Sequence, residues 1–172
     1  MTKFVKLAAL AATVLATTPA LAAPVGVSGA PPSATARIIR PLSLTSTGSL
    51  NFGTIVLNGV TANRTVALSS GNVLDCGAGT TELTCSGATS VPTYNVRGTN
   101  NQVVTIIRTA TNLTNGSDGT MLSMTPSGAN SVTLTNSGAP GLNFNIGGSI
   151  VIGAATTDGV YSGTVNVQVD YQ

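Results

Sequence analysis

Short apolar runs alternate along the chain with clusters of turn-forming residues, and helical spacing is nearly absent. Past the first 22 residues, apolar residues seldom have the i, i+3 and i+4 spacing of an amphipathic helix. Thr, Ser, Asn, Gly and Val, which suit strands and turns, are prominent throughout. Many short strands at this spacing predict an all-β sandwich or barrel. The predicted strands are Ile38–Leu44, Leu50–Leu57, Thr65–Leu68, Tyr94–Arg97, Val103–Arg108, Met121–Thr125, Val132–Thr135, Leu142–Ile146, Ser149–Ile152 and Val160–Tyr171.

Two glycine-containing segments are expected to be turns or loops. Gly147-Gly148 separates two apolar runs and predicts a tight hairpin, because glycine tolerates the positive φ of such turns. Asn112–Thr120 is polar and predicts an exposed loop.

The last strand has the clearest period of two. Its apolar positions alternate with Asn166, Gln168 and Asp170, so one face is apolar and the other polar. An apolar edge strand is an aggregation hazard unless something pairs with it. The apolar face comprises Val165, Val167, Val169 and Tyr171.

The first 22 residues have the pattern of a secretory signal peptide. Lys3 and Lys6 precede the apolar run Leu7–Leu15, and Ala20-Leu21-Ala22 offers a small-x-small cleavage site. Cleavage after Ala23 fits equally well. We expect export through the inner membrane and a mature chain without a transmembrane segment, since no later apolar run reaches eighteen residues.

The exported part divides into a predicted N-terminal extension, residues 23–40, and a predicted β-sandwich domain, residues 41–172. The extension is rich in proline and glycine at first. Apolar residues then fall on even positions, at Ala34, Ala36, Ile38, Leu42 and Leu44, with Arg40 as the exception. The pattern predicts an extension followed by a strand with one apolar face.

The only two cysteines of the chain are Cys76 and Cys85. An even number of cysteines in an exported chain favours a disulfide, which would close a short loop and contribute roughly 2–3 kcal/mol. A metal pair is the competing interpretation, but the chain has no histidine and no further cysteine to complete a site.

Charge and composition disfavour most other functions. Past the signal, five arginines balance five acidic residues, so no basic surface for nucleic acid or anionic membrane is predicted. Without histidine, a Ser-His-Asp triad is excluded, and without lysine past Lys6, Ser-Lys and Schiff-base mechanisms are excluded too. We therefore predict neither an enzyme nor a cofactor.

Two sets of acidic or amide side chains are candidate sites. Asp75 and Glu82 could approach as a carboxylate pair across the cysteine loop, but surface charges are the simpler interpretation. Asn112, Asn115 and Asp118 could present oxygens to calcium, although their spacing matches no calcium loop, and a polar hairpin loop is favoured.

The C-terminal pattern resembles that of chaperone–usher pilus subunits. Gly159 is the fourteenth residue from the end and Tyr171 is the second, with an alternating strand between them. Leu50-Asn-Phe-Gly53 resembles the Leu-x-Phe-Gly element of the archaic branch, which includes spore-coat-U-like pilins.

The wider pattern is similar to DUF4402, a family of secreted bacterial proteins. The matching elements are Ala34-Thr-Ala36, Pro41-Leu-Ser-Leu44, Leu50-Asn-Phe-Gly-Thr-Ile-Val56, Phe144-Asn-Ile-Gly-Gly148 and the Gly-x-Tyr-x-Gly that ends at Gly163. Together they cover nearly all of the predicted mature chain.

The pilin resemblance implies an incomplete immunoglobulin-like sandwich that lacks its last strand. An apolar groove beside the C-terminal strand would be filled by a periplasmic chaperone, then by the N-terminal extension of the next subunit. The resemblance implies a candidate acceptor strand with Gly159, Val165, Val167, Val169 and Tyr171, and a candidate donor strand with Ala34, Ala36 and Ile38, or with Val25 and Val27 as another set. Alternatively, Ala34–Leu44 is the first strand of the same domain, and nothing is donated. Implied partners are copies of the chain or related subunits, the chaperone and an outer-membrane usher. The implied location is the periplasm, then the cell surface or fimbrium. Many such pilins have a cysteine in the first core strand, whereas here a mid-chain bridge cannot brace the groove in the same way.

Two other functions remain open from the sequence. One is a monomeric secreted or periplasmic β-sandwich of unknown role. The other is a glycan-binding adhesin, for which Tyr94 and Tyr161 are the candidate stacking residues, since Phe52, Phe144 and Tyr171 lie in apolar phases.

Overall fold

The computed structural model describes residues 22–172, so the predicted signal peptide lies, apart from Ala22, outside the described residues. The chain divides into two compact units, Met1–Arg37 and Ile38–Gln172. In the first unit, residues 22–37 form no strand and are exposed. The second unit contains all thirteen described strands and, among those residues, no helix.

The strands are short, as the turn-rich sequence predicts. Their bounds are β1 Ser43–Thr47, β2 Thr54–Leu57, β3 Arg64–Leu68, β4 Leu74–Cys76, β5 Leu83–Ser86, β6 Thr93–Arg97, β7 Val103–Thr109, β8 Thr111–Asn115, β9 Met121–Gly128, β10 Ser131–Thr133, β11 Leu142–Ile152, β12 Tyr161–Ser162 and β13 Asn166–Tyr171.

Three curled antiparallel sheets form a sandwich-like arrangement, which confirms the predicted all-β class. The large sheet has the order β1-β6-β11-β9-β8-β12, and β3 joins it by pairing with β11 and β4. A three-stranded sheet has the order β10-β7-β13, and a two-stranded sheet consists of β2 and β5. Each sheet has an apolar face that must be covered, and the layers cover one another.

Two apolar clusters make up the core. The strands supply them by simple alternation, as in β9, where Leu122 and Met124 are buried and Ser123 is exposed. Cluster one contains Phe52, Val66, Leu68, Leu83, Leu122, Met124, Ile150 and Ile152. Cluster two contains Tyr94, Val96, Val104, Ile106, Leu134, Phe144 and Ile146. The rings of Tyr94 and Phe144 are stacked, with their centroids 5.5 Å apart.

The predicted hairpin at Gly147-Gly148 is wrong, because β11 runs through both glycines without a turn. Neither glycine has a positive φ. The Cβ that any other residue would place at Gly147 would collide with the Leu68 carbonyl oxygen. These glycines therefore permit close backbone packing in a long strand, a second role of glycine within strands.

The predicted exposed loop Asn112–Thr120 is also wrong in its first half. Thr111–Asn115 forms β8, which pairs with β9, and the Asn115 side chain is buried with 1% of its surface exposed. Polar composition suggested a loop, but here polar residues occupy a strand next to an edge of the sheet. The strands β4 and β5, which flank the two cysteines, were not predicted.

Several strand bounds differ from the prediction. The first strand begins at Ser43 rather than Ile38, and Pro41, which cannot donate to a ladder, lies just before it. The second begins at Thr54, after Gly53 with φ 77°. The predicted strand Val160–Tyr171 is divided into β12 and β13.

Candidate functional site

The C-terminal strand β13 lies at the edge of its sheet. It pairs antiparallel with β7, from Asn166 opposite Thr109 to Tyr171 opposite Val104, and has no other strand neighbour among the described residues. The predicted alternation is confirmed: Val165, Val167, Val169 and Tyr171 are half-buried, while the residues between them are exposed. The strand therefore has one unpaired backbone edge beside an apolar face.

Strand β1 lies at the edge of the large sheet, and its inward side chains are also only half-buried. It pairs with β6 alone, and Leu42 and Leu44 pack half-buried against cluster two. By contrast, Val96 of β6 and Val104 of β7 are fully buried. The inward side chains of both edge strands thus pack on cluster two but remain partly exposed to solvent.

The penultimate tyrosine fixes the end of β13. Its hydroxyl accepts a hydrogen bond from the Thr99 backbone N–H at 2.8 Å and donates one to the Arg40 carbonyl at 2.7 Å. A Cβ at Gly98 would collide with this hydroxyl, so the glycine makes the contact possible. Tyr171 thereby links the end of β13 to the chain entering β1.

An open groove of about 670 Å³ lies over cluster one. Its floor is apolar and includes Leu122, Ile150 and Ile152. One side consists of the four consecutive residues Thr54–Leu57, and the other of the six consecutive residues Thr156–Tyr161. Successive residues of a strand point to opposite faces of the sheet. Four consecutive residues can therefore line one groove only if the groove runs along the backbone edge of β2.

Val165 packs against both clusters, so the two parts of the core meet at this residue. We call the groove over cluster one, with β2 on one side and Thr156–Tyr161 on the other, the acceptor groove.

Gly159 lies in the wall of the acceptor groove with φ 146°, where side chains are strained. A Cβ there would collide with the amide of Asn115. That buried amide donates to the Asp158 carbonyl at 2.9 Å and accepts from the Ser117 N–H at 2.9 Å. The asparagine thus orders the wall, and only glycine leaves space for it.

A small polar network closes the groove wall at Tyr161. The tyrosine hydroxyl donates to the Thr157 carbonyl at 2.9 Å and lies 3.1 Å from the hydroxyls of Thr120 and Thr157. These contacts, above all that with Thr120, lower the pKa of Tyr161. Hydrogen bonds from the Thr120 N–H and hydroxyl, then from Thr157, likewise lower the pKa of Asp118.

The predicted disulfide is present between Cys76 and Cys85. It joins β4 of the large sheet to β5, whose partner β2 borders the acceptor groove. Neither cysteine lies in the first core strand or in β13, in line with the mid-chain position of the bridge.

The candidate donor residues are accessible. Ala34, Ala36 and Ile38 lie outside the strands and are exposed, with Ile38 at 89% of its surface. Val25 and Val27 are exposed to 96% and 71%.

The other candidates have structural partners. Asp75 accepts from the Ala78 N–H, whereas Glu82 pairs with Arg64 at 2.8 Å. Within residues 22–172, no cluster of three or more His, Cys, Asp or Glu side chains could hold a metal ion.

The two tyrosines weighed as sugar-stacking residues differ in exposure. Tyr94 is buried, and that burial raises its pKa. Its ring is thus inaccessible for stacking on a sugar. Tyr161 is only half-buried in the groove wall.

Sequence reasoning missed the β2 wall and the roles of Asn115 and Gly98. The available signal for the wall was the Leu50-Asn-Phe-Gly53 element, which places the buried Phe52 immediately before β2. For Asn115 and Gly98 no local signal existed, because their partners are distant in sequence.

The fold and groove define the chain as an all-β sandwich with unpaired strand edges. The family model described as "Domain of unknown function (DUF4402)" matches residues 42–171, so the chain belongs to the DUF4402 family. No curated protein and no solved structure is detectably similar to the chain. Within the described residues, no helix has the length and apolar character needed to cross a membrane.

Proposed function

We propose that the chain is a structural subunit of a bacterial pilus or surface fibre, assembled by strand addition between copies. The N-terminal extension of one copy adds as a strand beside β13 of the next and continues over its acceptor groove. The observation that carries the proposal is that β13 has one strand neighbour and a half-buried apolar face.

Burial and hydrogen bonding both favour an added strand. If it covers about 30–40 Å² of apolar surface on each of Val165, Val167, Val169 and Tyr171, burial contributes about 3–4 kcal/mol at roughly 25 cal/mol per Å². Each backbone hydrogen bond to the open edge of β13 adds a net ~0.5–1.5 kcal/mol. The cost of association and of ordering the donor strand opposes these contributions, so they favour the added strand without setting its affinity.

The donor matches β13 in period. Ala34, Ala36 and Ile38 recur every second residue, as do the apolar positions of β13. Covering the exposed Ile38 side chain removes apolar surface from water in the donor as well. Val25 and Val27 extend the donor if the groove over cluster one is also filled.

The proposal includes export to the periplasm and then to the cell surface. A periplasmic chaperone and an outer-membrane usher, which the pilin resemblance implies, would protect and deliver the subunit. No reaction is assigned to the groove, because association requires only a strand edge and apolar contacts.

Size-exclusion chromatography and negative-stain microscopy of the exported chain, with and without residues 23–40, test the proposal. We expect oligomers or filaments from the full exported chain and none from the deletion. Ala36→Asp, on the apolar phase of the donor, should abolish assembly, while Thr35→Asp, on the opposite phase, should preserve it.

A stable monomer from the full exported chain, merely unfolded by the deletion, would favour the monomeric sandwich instead. A glycan-array signal lost on Tyr161→Ala, without assembly, would favour the adhesin.

A further inference from the structure

The two-stranded ribbon β2–β5 forms one wall of the acceptor groove but has little backbone support. Within residues 22–172, β2 and β5 pair only with each other, and an isolated Asn51–Ser90 bridge follows beyond them. A two-stranded ribbon is at best marginally stable on its own. Its position must therefore come from side-chain anchors.

Those anchors connect the ribbon to the large sheet. Phe52 and Leu83 are buried in cluster one. The Cys76–Cys85 bond ties β5 to β4, with the two Cα atoms 5.9 Å apart. Arg64 of β3 donates to the Glu82 carboxylate at 2.8 Å, just before β5 begins. The disulfide is the one covalent connection among them.

The bridge lies one strand away from the groove. Cys85 is directly opposite Ile55 in the β2–β5 register, and Ile55 lines the groove. Neighbouring strands are about 4.8 Å apart, so any displacement of β5 moves the groove wall with it.

We propose that Cys76 and Cys85 are positioning residues for the acceptor groove: their bond holds β2 where an incoming strand can pair with it. The inference rests on the proposed function and adds that accepting a strand requires the bridge whereas donating one does not. A chain without the bridge loses its groove wall but keeps Ala34, Ala36 and Ile38. Such a chain still donates a strand and no longer accepts one.

The test compares the full exported chain with its Cys76→Ser/Cys85→Ser variant by amide hydrogen exchange and by size. Loop closure by the bridge corresponds to roughly 100-fold in an equilibrium constant, so we expect exchange in β2 and β5 to rise on the order of 10- to 100-fold. Exchange in β7 should stay within about threefold. Mixed with the unaltered chain, the variant should cap and shorten its oligomers.

Two further variants separate positioning from general stability. Val132→Ala, on β10 at the far side of β7 from β13, lowers stability without touching the ribbon and should leave oligomer length unchanged. Glu82→Gln removes the ion pair while the bridge stays, and should raise exchange several-fold in β2 and β5 alone.

Equal acceleration of exchange in all strands, or unchanged exchange in β2, would overturn the positioning role. Normal oligomers made of the double-serine variant alone would overturn it too. If the unaltered chain forms no oligomers while ribbon exchange rises as expected, the proposed function fails and the anchoring of β2 stands.

Discussion

A lysine at Val167 should block assembly while leaving the free domain folded. The side chain is half-buried on the inward face of β13, so in the free chain a lysine can extend to water past the open edge. An added strand closes that exit. Loss of the valine contact costs about 1 kcal/mol, and burial of an unpaired ammonium costs several more. A total of about 4 kcal/mol corresponds to nearly a thousandfold weaker association.

The measurement is the weight-average mass of the exported chain as a function of concentration, by size-exclusion chromatography with light scattering. Gln168→Lys is the matched control, because Gln168 is the next residue of the same strand and faces solvent. We expect Val167→Lys to stay monomeric at concentrations about a thousandfold above those at which the unaltered chain assembles. Gln168→Lys should assemble within threefold of it.

Circular dichroism and urea denaturation check that both lysine variants are folded. Equal assembly of the two variants would refute the reasoning, because the inward face of β13 would then not be covered by a partner.

Three further predictions concern the stability of the groove. Gly159→Ala should lower the free energy of unfolding by about 2–4 kcal/mol in urea denaturation, because the new side chain adds backbone strain and collides with Asn115. Gly119→Ala, at positive φ in open space, should lower it by only about 1 kcal/mol. Equal losses would show that the collision with Asn115 contributes nothing. Tyr171→Phe should lower the free energy of unfolding by about 1–3 kcal/mol, because the Thr99 N–H loses its acceptor. Tyr94→Phe should leave it nearly unchanged, because the Tyr94 hydroxyl lies 3.5 Å from the Val165 carbonyl oxygen. A larger loss for Tyr94→Phe than for Tyr171→Phe would contradict this. Hydrogen bonds from Arg64 and Thr61 lower the pKa of Glu82 to about 2, so the Glu82 carboxylate stabilises the fold fully above its ordinary pKa of 4.5 and loses this effect as the pH falls toward 2. Glu82→Gln should therefore make the unfolding midpoint temperature fall less steeply between pH 5 and pH 2. An unchanged slope would show that the ion pair does not stabilise the fold.

The sequence predicted those parts of the fold that depend on local alternation. The β13 face, the core positions Phe52 and Phe144 and the pairing of two cysteines all follow from period, phase or count. Each of these signals is contained within a few residues or in the composition. The all-β fold class could therefore be predicted without information about tertiary contacts.

The errors lie where a residue acts on a distant partner. Gly147-Gly148 has the composition of a turn, yet it is fixed by the approach of Leu68, which is far away in sequence. Asn115 has the composition of a loop residue, yet it is buried against Asp158. In both places a tertiary contact overrides the local preference, and a single sequence contains no record of that contact.

Only one of the two open surfaces could be predicted from alternation. Alternation identified the apolar face of β13, but the groove over cluster one depends on β2, whose Thr-Ile-Val-Leu sequence has no clear alternation. The β2 wall is recognisable only because four successive β2 residues border the same cavity. The role of the disulfide in that wall follows from strand pairing and not from cysteine spacing.

Disulfide trapping between two differently tagged populations of the chain tests the central claim most directly. One population carries Ala36→Cys, and the other carries cysteine at one position from Val165 to Val169. Inward residues on neighbouring strands come close enough to form such a bond. The account predicts crosslinks between the two tags at Val165, Val167 or Val169, and none at Asn166 or Gln168. Crosslinks that form only within one chain carrying both cysteines, or that show no two-residue period, would contradict it.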